Sequence, residues 1–456
     1  MKTLKEPKQF ERYFGQKVDY SFLKHEPFLM LSSEEEEGLK EGAVLHAVQS
    51  NKSVELLDDI GSGGQGKIYK TDIPGLVAKI YSSEERTIFT QKKIEKILQF
   101  SNDNPNVCWP CDILRTESGV FVGFLMPFFD GKSLVYLLTG NSSKVKQRHP
   151  GYSRLVQIEM ILKMLNAFKY LHERNILVGD IKLENVLYSK KTMDICFVDM
   201  DSVQIGEFNC RHSTLGYDPP EVIQCLKNRR HDERLADGRY CYNQYYSDNY
   251  RTLEIESYAM SVLIYRFLME EKCPYTYEDW LDEGFQDGEY NNNELCIKRQ
   301  FAYGVDEIDT METACKVAMW SHFPSFLKEA FVAVFTKGKR YTDDEWIMIF
   351  SRYKKILESG KLDKADKDCK EPFPLQRVDY HSVSVMLTDM VEKNGFSMMQ
   401  AVSHIAKELE SNQLKKRILE ISNVLKQQSE YTVDNYRFSL IYNIGILKKI
   451  KCEYIS

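Results

Sequence analysis

Val178-Gly179-Asp180-Ile181-Lys182-Leu183-Glu184-Asn185, followed fourteen residues after the asparagine by Asp199 in Phe197-Val198-Asp199-Met200-Asp201, decides how this chain is read. Asp180 can accept or orient the proton of a hydroxyl nucleophile, and Lys182 can neutralise charge on a transferring phosphoryl group. Asn185 and Asp199 are oxygen ligands of the hard type that magnesium prefers. The competing reading is a surface turn that joins a helix to a strand. The flanking sequence therefore has to supply the remaining parts in the right order.

Upstream, Gly61-Ser62-Gly63-Gly64-Gln65-Gly66 lies between two strand-like segments. Glycines at 61, 63 and 66 let a backbone turn tightly and approach phosphates with no Cβ in the way. A dinucleotide-binding fold would need a helix to start at the last glycine, whereas Lys67-Ile68-Tyr69-Lys70 continues as β, which favours a hairpin that covers phosphates. Thirteen residues on, Val77-Ala78-Lys79-Ile80 places a lysine in an apolar strand, where an unpaired ammonium is costly. Residues 87–100 fit a helix in which Ile88, Glu95 and Leu98 share one face, so Glu95 is expected to point inward as the counter-ion of Lys79.

Around this segment the chain divides into an extension over 1–53, a domain over 54–355, a charged linker near 361–370 and a helical domain over 371–456. The extension carries the acidic run Glu34 to Glu37, read as a solvated helix start. Short strands alternate with turns from Val54, and Val120 to Phe129 is almost wholly apolar. Apolar positions from Leu155 to His172 recur every three or four residues, which predicts a long helix ending just before the opening motif. Strands first and helices later describe an α+β protein of two lobes, about 54–128 and 129–355. A polar insertion is expected near 225–254, its bases Lys227, Arg229, Arg230 and Arg234 read as a solvated face. Helical stripes run from Met398 to Leu409 and from Leu414 to Leu425; they are expected to pack on their own protein or on an unknown partner.

The chain has 456 residues, 43% apolar and 12% aromatic, enough for more than one domain. A net charge of −6 and a pI near 6.0 give no global attraction to nucleic acid or anionic membrane. Charges interrupt the N-terminus and no apolar run approaches the length of a membrane span, so a soluble cytoplasmic protein is expected, with export by a specialised secretion system as the alternative. Eleven scattered cysteines suit reduced thiols. Cys108-Trp109-Pro110-Cys111 has half-zinc spacing, but no second such pair accompanies it, so a strand leading into Asp112 is the better reading.

Taken together, residues 54–355 resemble the protein kinase superfamily, and most of all a bacterial group of divergent Ser/Thr kinase-like proteins with GD-x-K/H-x-x-N, D-x-D-S and PPE motifs. The resemblance implies a two-lobed kinase-like fold that uses ATP and Mg2+, or Mn2+, to phosphorylate Ser or Thr of a protein, itself included. It implies Gly61, Gly63 and Gly66 as the glycine-rich loop, Lys79 as the ATP lysine and Glu95 as its helix partner. Ala78, Met126 and Phe128 would surround the adenine, with Met126 as gatekeeper. Asp180 and Lys182 would be catalytic, Asn185 and Asp199 the metal ligands, and Thr214 the threonine of the substrate-binding segment. Glu221 of Pro219-Pro220-Glu221 would pair with Arg340.

Three departures stand out. Val178-Gly179 replaces His-Arg before Asp180, which removes the arginine that reads an activation-segment phosphate. Met200-Asp201 replaces Phe-Gly after Asp199, and Asp201 adds a carboxylate near the metal or caps a turn with Ser202. Glu256 stands where the family anchors its catalytic loop with Asp. Two other classes fit parts of the pattern. One is a pseudokinase that binds nucleotide without turnover; the other is a small-molecule or lipid kinase, suggested by Gly179-Asp180 and opposed by Lys182, Thr214 and Arg340.

Overall fold

The computed structural model describes residues 31–139, 142–214, 216–227, 249–275, 288–301, 303, 319–320, 322–360, 369–372, 397, 400, 419–420, 423–425, 427–433, 436–443 and 446–454. Six antiparallel strands come first: β1 (Val44–Ala47), β2 (Lys52–Gly63), β3 (Gly66–Thr71), β4 (Leu76–Tyr81), β5 (Asp112–Arg115) and β6 (Phe121–Pro127). They pair in the order β1-β2-β3-β4-β6-β5, and β1 closes the set by pairing with β5 at His46–Arg115 and Ala47–Leu114. The sheet therefore begins ten residues before the expected boundary at 54. Preceding it, the acidic run does start a helix, Ser33–Gly38, where Ser32 accepts from the Glu35 backbone N–H and the Glu35 carboxylate accepts from that of Ser32. Glu36 of this helix pairs with the buried Arg86.

Alternation along β4 decides what faces inward. Ala78 and Ile80 pack with Val54, Leu56 and Leu125 in one core, while Val77, Lys79 and Tyr81 take the opposite face. That second face looks toward the rest of the molecule, so the strand period delivers the Lys79 ammonium and the Tyr81 hydroxyl to the same place. Close packing of β4 on β6 depends on Gly123, where a Cβ would stand 1.9 Å from the Lys79 carbonyl oxygen. Cys108 and Cys111 sit in the approach to β5, donating backbone N–H bonds to Phe197 and Leu125, and neither forms a disulfide.

Helices dominate beyond β6. After β7 (Lys132–Ser133), the helix Arg154–His172 matches the expected one; Ser153 caps it, and it buries Ile158, Ile161, Leu165 and Phe168. It packs on Asp343–Glu358, which carries a second capping box built from Thr342 and Glu345. Leu253–Leu268 is buried along nearly its whole circumference, as a helix apolar on all sides must be. Between the first and third of these lie β8 (Ile176–Leu177), the hairpin β9 (Val186–Tyr188) and β10 (Ile195–Phe197), and β11 (Gln204–Ile205), which pairs with β8. Among the described residues no helix is long and apolar enough to cross a membrane.

Toward the C-terminus the helical expectation fails in part. An antiparallel sheet forms from β12 (Glu430–Val433), β13 (Tyr436–Asn443) and β14 (Ile446–Tyr454). Its sequence, with Tyr431-Thr432-Val433 and Phe438 to Tyr442 before Asn443-Ile444-Gly445, is rich in β-branched and aromatic residues and carries a turn signal. The stripes at 398–425 fall mostly outside the described residues, as do 361–368 of the linker and 228–248 of the insertion. Residues 369–372 dock on the long helix: the Arg154 backbone N–H donates to Lys370 and its guanidinium to the Pro372 carbonyl, 3.0 Å away.

His172, at the end of that helix, lies between Asp343 (2.8 Å) and Glu256 (3.3 Å). Burial would lower its pKa, but hydrogen bonds to the two carboxylates outweigh that and raise it from 6.5 to about 9. A raised folded-state pKa contributes stability in full below about pH 6.5, lost as pH rises through 9. The difference in unfolding free energy between wild type and His172→Gln, read from urea melts, should therefore be largest near pH 6 and shrink by pH 9.5, a change on the order of 2–3 kcal/mol. A pH-independent difference would exclude this role.

Candidate functional site

A cavity of about 570 Å³ lies between the glycine hairpin and the 178–199 segment, lined among others by Val77, Lys79, Met126, Phe128, Asp180 and Asp199. Its volume is of the size that small-molecule sites occupy. The roof is the β2–β3 hairpin, where Gly63 pairs with Gly66 and the chain turns at Gly64-Gln65. Gly66 is obligatory, since a Cβ there would lie 2.0 Å from the Ile80 carbonyl oxygen. A Cβ at Gly61 or Gly63 would meet nothing within 4 Å, which leaves room over the cavity for a ligand. Met126 is nearly buried, Phe128 is 45% exposed at the rim, and Ala78, expected beside the adenine, packs into the opposite core because strand alternation turns Val77 to the cavity instead.

The opening motif is brought together by the β9–β10 hairpin. Val186 pairs with Phe197, so Asn185 and Val198 flank the open end, and the Val198 N–H donates to the Asn185 carbonyl at 2.9 Å. Residues thirteen apart in sequence thus become neighbours. The Asn185 amide N–H donates to the Asp180 carbonyl at 3.0 Å, leaving its side-chain oxygen for a ligand. Asp180 is almost fully buried and accepts on both oxygens: from the Thr214 hydroxyl (2.7 Å) and from the Lys182 ammonium (2.7 Å). The segment is anchored by Glu256, which accepts from the Val178 (2.5 Å) and Gly179 (3.1 Å) backbone N–H groups. Its extra methylene relative to Asp is accommodated. Glu221 accepts from Arg340 at 2.6 Å, as the resemblance implies.

Lys79 is not held by Glu95. Its ammonium donates to Asp199 (2.6 Å), to both oxygens of Asp201 (2.9 and 2.7 Å) and to the Gln65 side-chain oxygen (2.8 Å). Burial would lower its pKa, but Asp201 and then Asp199 raise it above the usual lysine value. Burial likewise opposes ionisation of Asp199, yet the Lys79 charge holds its pKa below the usual carboxylate range. Glu95 instead accepts from Gln91 (2.8 Å), lies 3.8 Å from Arg115 and has a side chain 43% exposed. The helix Ile88–Ile97, capped by Thr87, buries Phe89, Lys93, Ile94 and Ile97. Its inward face is therefore turned away from the Ile88, Glu95 and Leu98 stripe, because one residue of phase rotates a helix by about 100°.

Several site residues carry no motif signal. Tyr81 donates to Asp201 at 2.6 Å, and only its place two residues after Lys79 hints at this. Lys93, pushed down to about 8 by burial, donates to the Ser202 and Asn209 carbonyls. Gln65 also bridges to His212 Nε2 at 2.9 Å. An amide NH2 can only donate, so His212 Nε2 accepts; burial first and Lys93 next lower its pKa and keep the ring neutral. No group of three or more His, Cys, Asp or Glu with metal-ligand placement occurs among the described residues, Cys108 and Cys111 included.

A model of the protein kinase domain matches residues 54–278. The serine/threonine-protein kinase PknG of Mycobacterium leprae is 31% identical over 113 residues, 24% of this chain and 14% of that protein. Aurora kinase of Saccharomyces cerevisiae is 26% identical over 140 residues, 29% of this chain and 35% of the relative. The EKC/KEOPS complex subunit bud32 of Dictyostelium discoideum is 29% identical over 157 residues, 31% of this chain and 59% of the relative. The chain thus spans less than two thirds of each of these relatives.

Glu256 offers a direct check on how the loop is held. Glu256→Ala leaves the buried Val178 and Gly179 N–H groups without their partner and His172 with Asp343 alone, and should cost roughly 3–5 kcal/mol in urea unfolding. A loss under about 1 kcal/mol would show that the loop is held elsewhere.

Proposed function

We propose, for a chain that belongs to a divergent protein kinase-like family, that it is an ATP- and Mg-dependent kinase of two lobes that transfers the γ-phosphoryl group to Ser or Thr hydroxyls of a protein. The observation that carries this reading is the convergence of Lys79, Asp180, Lys182, Asn185 and Asp199 on one cavity. A divalent ion bound to ATP would be held by the Asn185 side-chain oxygen and the Asp199 carboxylate, a hard donor set that suits Mg2+. When bound, that ion neutralises charge on the transferring phosphates. Asp180 orients the acceptor hydroxyl and takes up its proton, Lys182 neutralises the phosphoryl oxygens, and Lys79 grips the phosphates once Gln65 releases it. Thr214, on Asp180, shapes the acceptor side. Val77 and Met126 offer the adenine an apolar slot.

Independence from activation-segment phosphorylation is part of the proposal. Gly179 has φ +80°, and a Cβ there would stand 2.5 Å from the Cys210 side chain, so the arginine that reads such a phosphate cannot be built at this position. One observation favours a second reading, a nucleotide-binding module without turnover: Gln65, Asp199 and Asp201 together occupy every proton of the Lys79 ammonium.

Purified protein given radiolabelled ATP and Mg2+ should label itself or a generic protein substrate, and both Asp180→Ala and Asp199→Ala should lower this at least about a thousandfold. Labelling that survives in both variants sinks the assignment. Thermal stabilisation by Mg-ATP without transfer to any acceptor would favour the second reading. Phosphatase-treated protein should retain its initial rate; a loss that recovers on rephosphorylation would disprove the independence.

A further inference from the structure

We infer that Asp201, and no carboxylate of the helix Ile88–Ile97, is the residue that positions Lys79 for phosphoryl transfer, with the Tyr81 hydroxyl fixing the Asp201 carboxylate. The inference rests on the kinase reading above. Asp199 and Asp201 divide two tasks. The Asp199 side chain is 27% exposed, lines the cavity and gives Lys79 one oxygen, which leaves the other for a metal. Asp201 is 5% exposed, does not line the cavity, and commits both oxygens to Lys79 and one of them also to Tyr81. It is built as a holder of the lysine.

Local backbone makes this division possible. Asp199 adopts φ 62°, ψ 35°, a left-handed conformation uncommon outside glycine, and Met200–Ser202 follow as a single 3-10 turn. The Ser202 N–H (3.1 Å) and hydroxyl (2.8 Å) both donate to the Asp199 carbonyl and lock that turn. Two carboxylates a residue apart therefore converge on one ammonium, whereas an extended strand would also have put them on one face but without curling the second behind the first. The cation on the inward face of the helix completes the argument. Lys93 lies where a counter-ion for Lys79 is expected, and its ammonium takes the backbone carbonyls of Ser202 (3.1 Å) and Asn209 (3.3 Å). The helix thus grips the backbone of the segment whose side chain grips Lys79. Lys93 binds a backbone carbonyl of the turn and Lys79 binds its two carboxylates, so the position of Lys79 is set by the Asp199–Ser202 turn and not by an acid on the helix.

A double-mutant cycle on Tm, which needs no turnover, separates this inference from the kinase reading. Asp201→Asn should destabilise the full chain by leaving the Lys79 charge underpartnered, and Lys79→Met in the same chain should recover part of the loss, a coupling of at least about 3 °C. Lys79→Met combined with Glu95→Gln should be additive. With Mg-ATP at saturation, Asp201→Asn should lower kcat at least about tenfold with KM for the protein acceptor unchanged, Tyr81→Phe should lower it by less, and Glu95→Gln should leave it within about twofold. If Asp201→Asn does not fold, the same cycle is run with Tyr81→Phe. Coupling of Lys79 to Glu95, additivity with Asp201, or full kcat in a folded Asp201→Asn overturns the inference. Absence of turnover in wild type overturns the kinase reading alone, and the cycle still decides which residue holds Lys79.

Discussion

A single buried ammonium organises this molecule. Lys79 is 5% exposed and sits among Val77, Tyr81 and Phe124, where an unpaired charge would be prohibitively costly. Everything that touches it is therefore constrained: Asp199 in its left-handed turn, Asp201 curled behind it, Tyr81 above, and Gln65 at the tip of the glycine hairpin. The same charge draws the roof of the cavity down onto its floor. Buried ion clusters of this kind contribute little net stability, because desolvation offsets attraction, but they specify one arrangement when every partner is satisfied. Here that arrangement places the carboxylates of Asp199 and Asp180 and the ammonium of Lys79 around one cavity.

A second buried charge does the same work one layer down. Glu256, fully enclosed in the helix Leu253–Leu268, holds the Val178 and Gly179 N–H groups and the His172 ring, and His172 in turn reaches Asp343. Three helices thus meet at the base of the loop that carries Asp180. The two clusters are joined through the β9–β10 hairpin, so the loop geometry is determined from both ends. Gly179 leaves no space for an arginine between them.

Legibility from sequence followed the range of the interaction. The hairpin over 61–66, the helix at 154–172 and the Asp180, Lys182, Asn185 and Asp199 set are short-range patterns or long, strongly periodic ones, whereas the Glu221–Arg340 pair was expected from the resemblance alone. The start of the sheet was less visible, because β1 is four residues long and its alternation is too brief to register. At the C-terminus a helical period does not continue into residues 430–454, where β-branched and aromatic residues with a turn signal prevail. The Lys79 partner was the hardest case. Glu95 and Lys93 lie two residues apart on one helix, and which faces inward depends on a rotation that the Thr87 cap and the packing of Phe89 and Ile94 decide.

By itself the sequence determined the inventory: a lysine stranded in an apolar strand, glycines where a backbone must come close, and acids and an amide at spacings that suit a nucleotide and its metal. It determined as well that no arginine precedes Asp180. The tertiary structure alone decided which acid answers Lys79, that Glu256 can do the work of a shorter side chain, and that Lys93 takes backbone carbonyls. The physical reason is that residue type sets what a group needs, whereas helix phase, a left-handed turn and long-range packing set who is near enough to supply it.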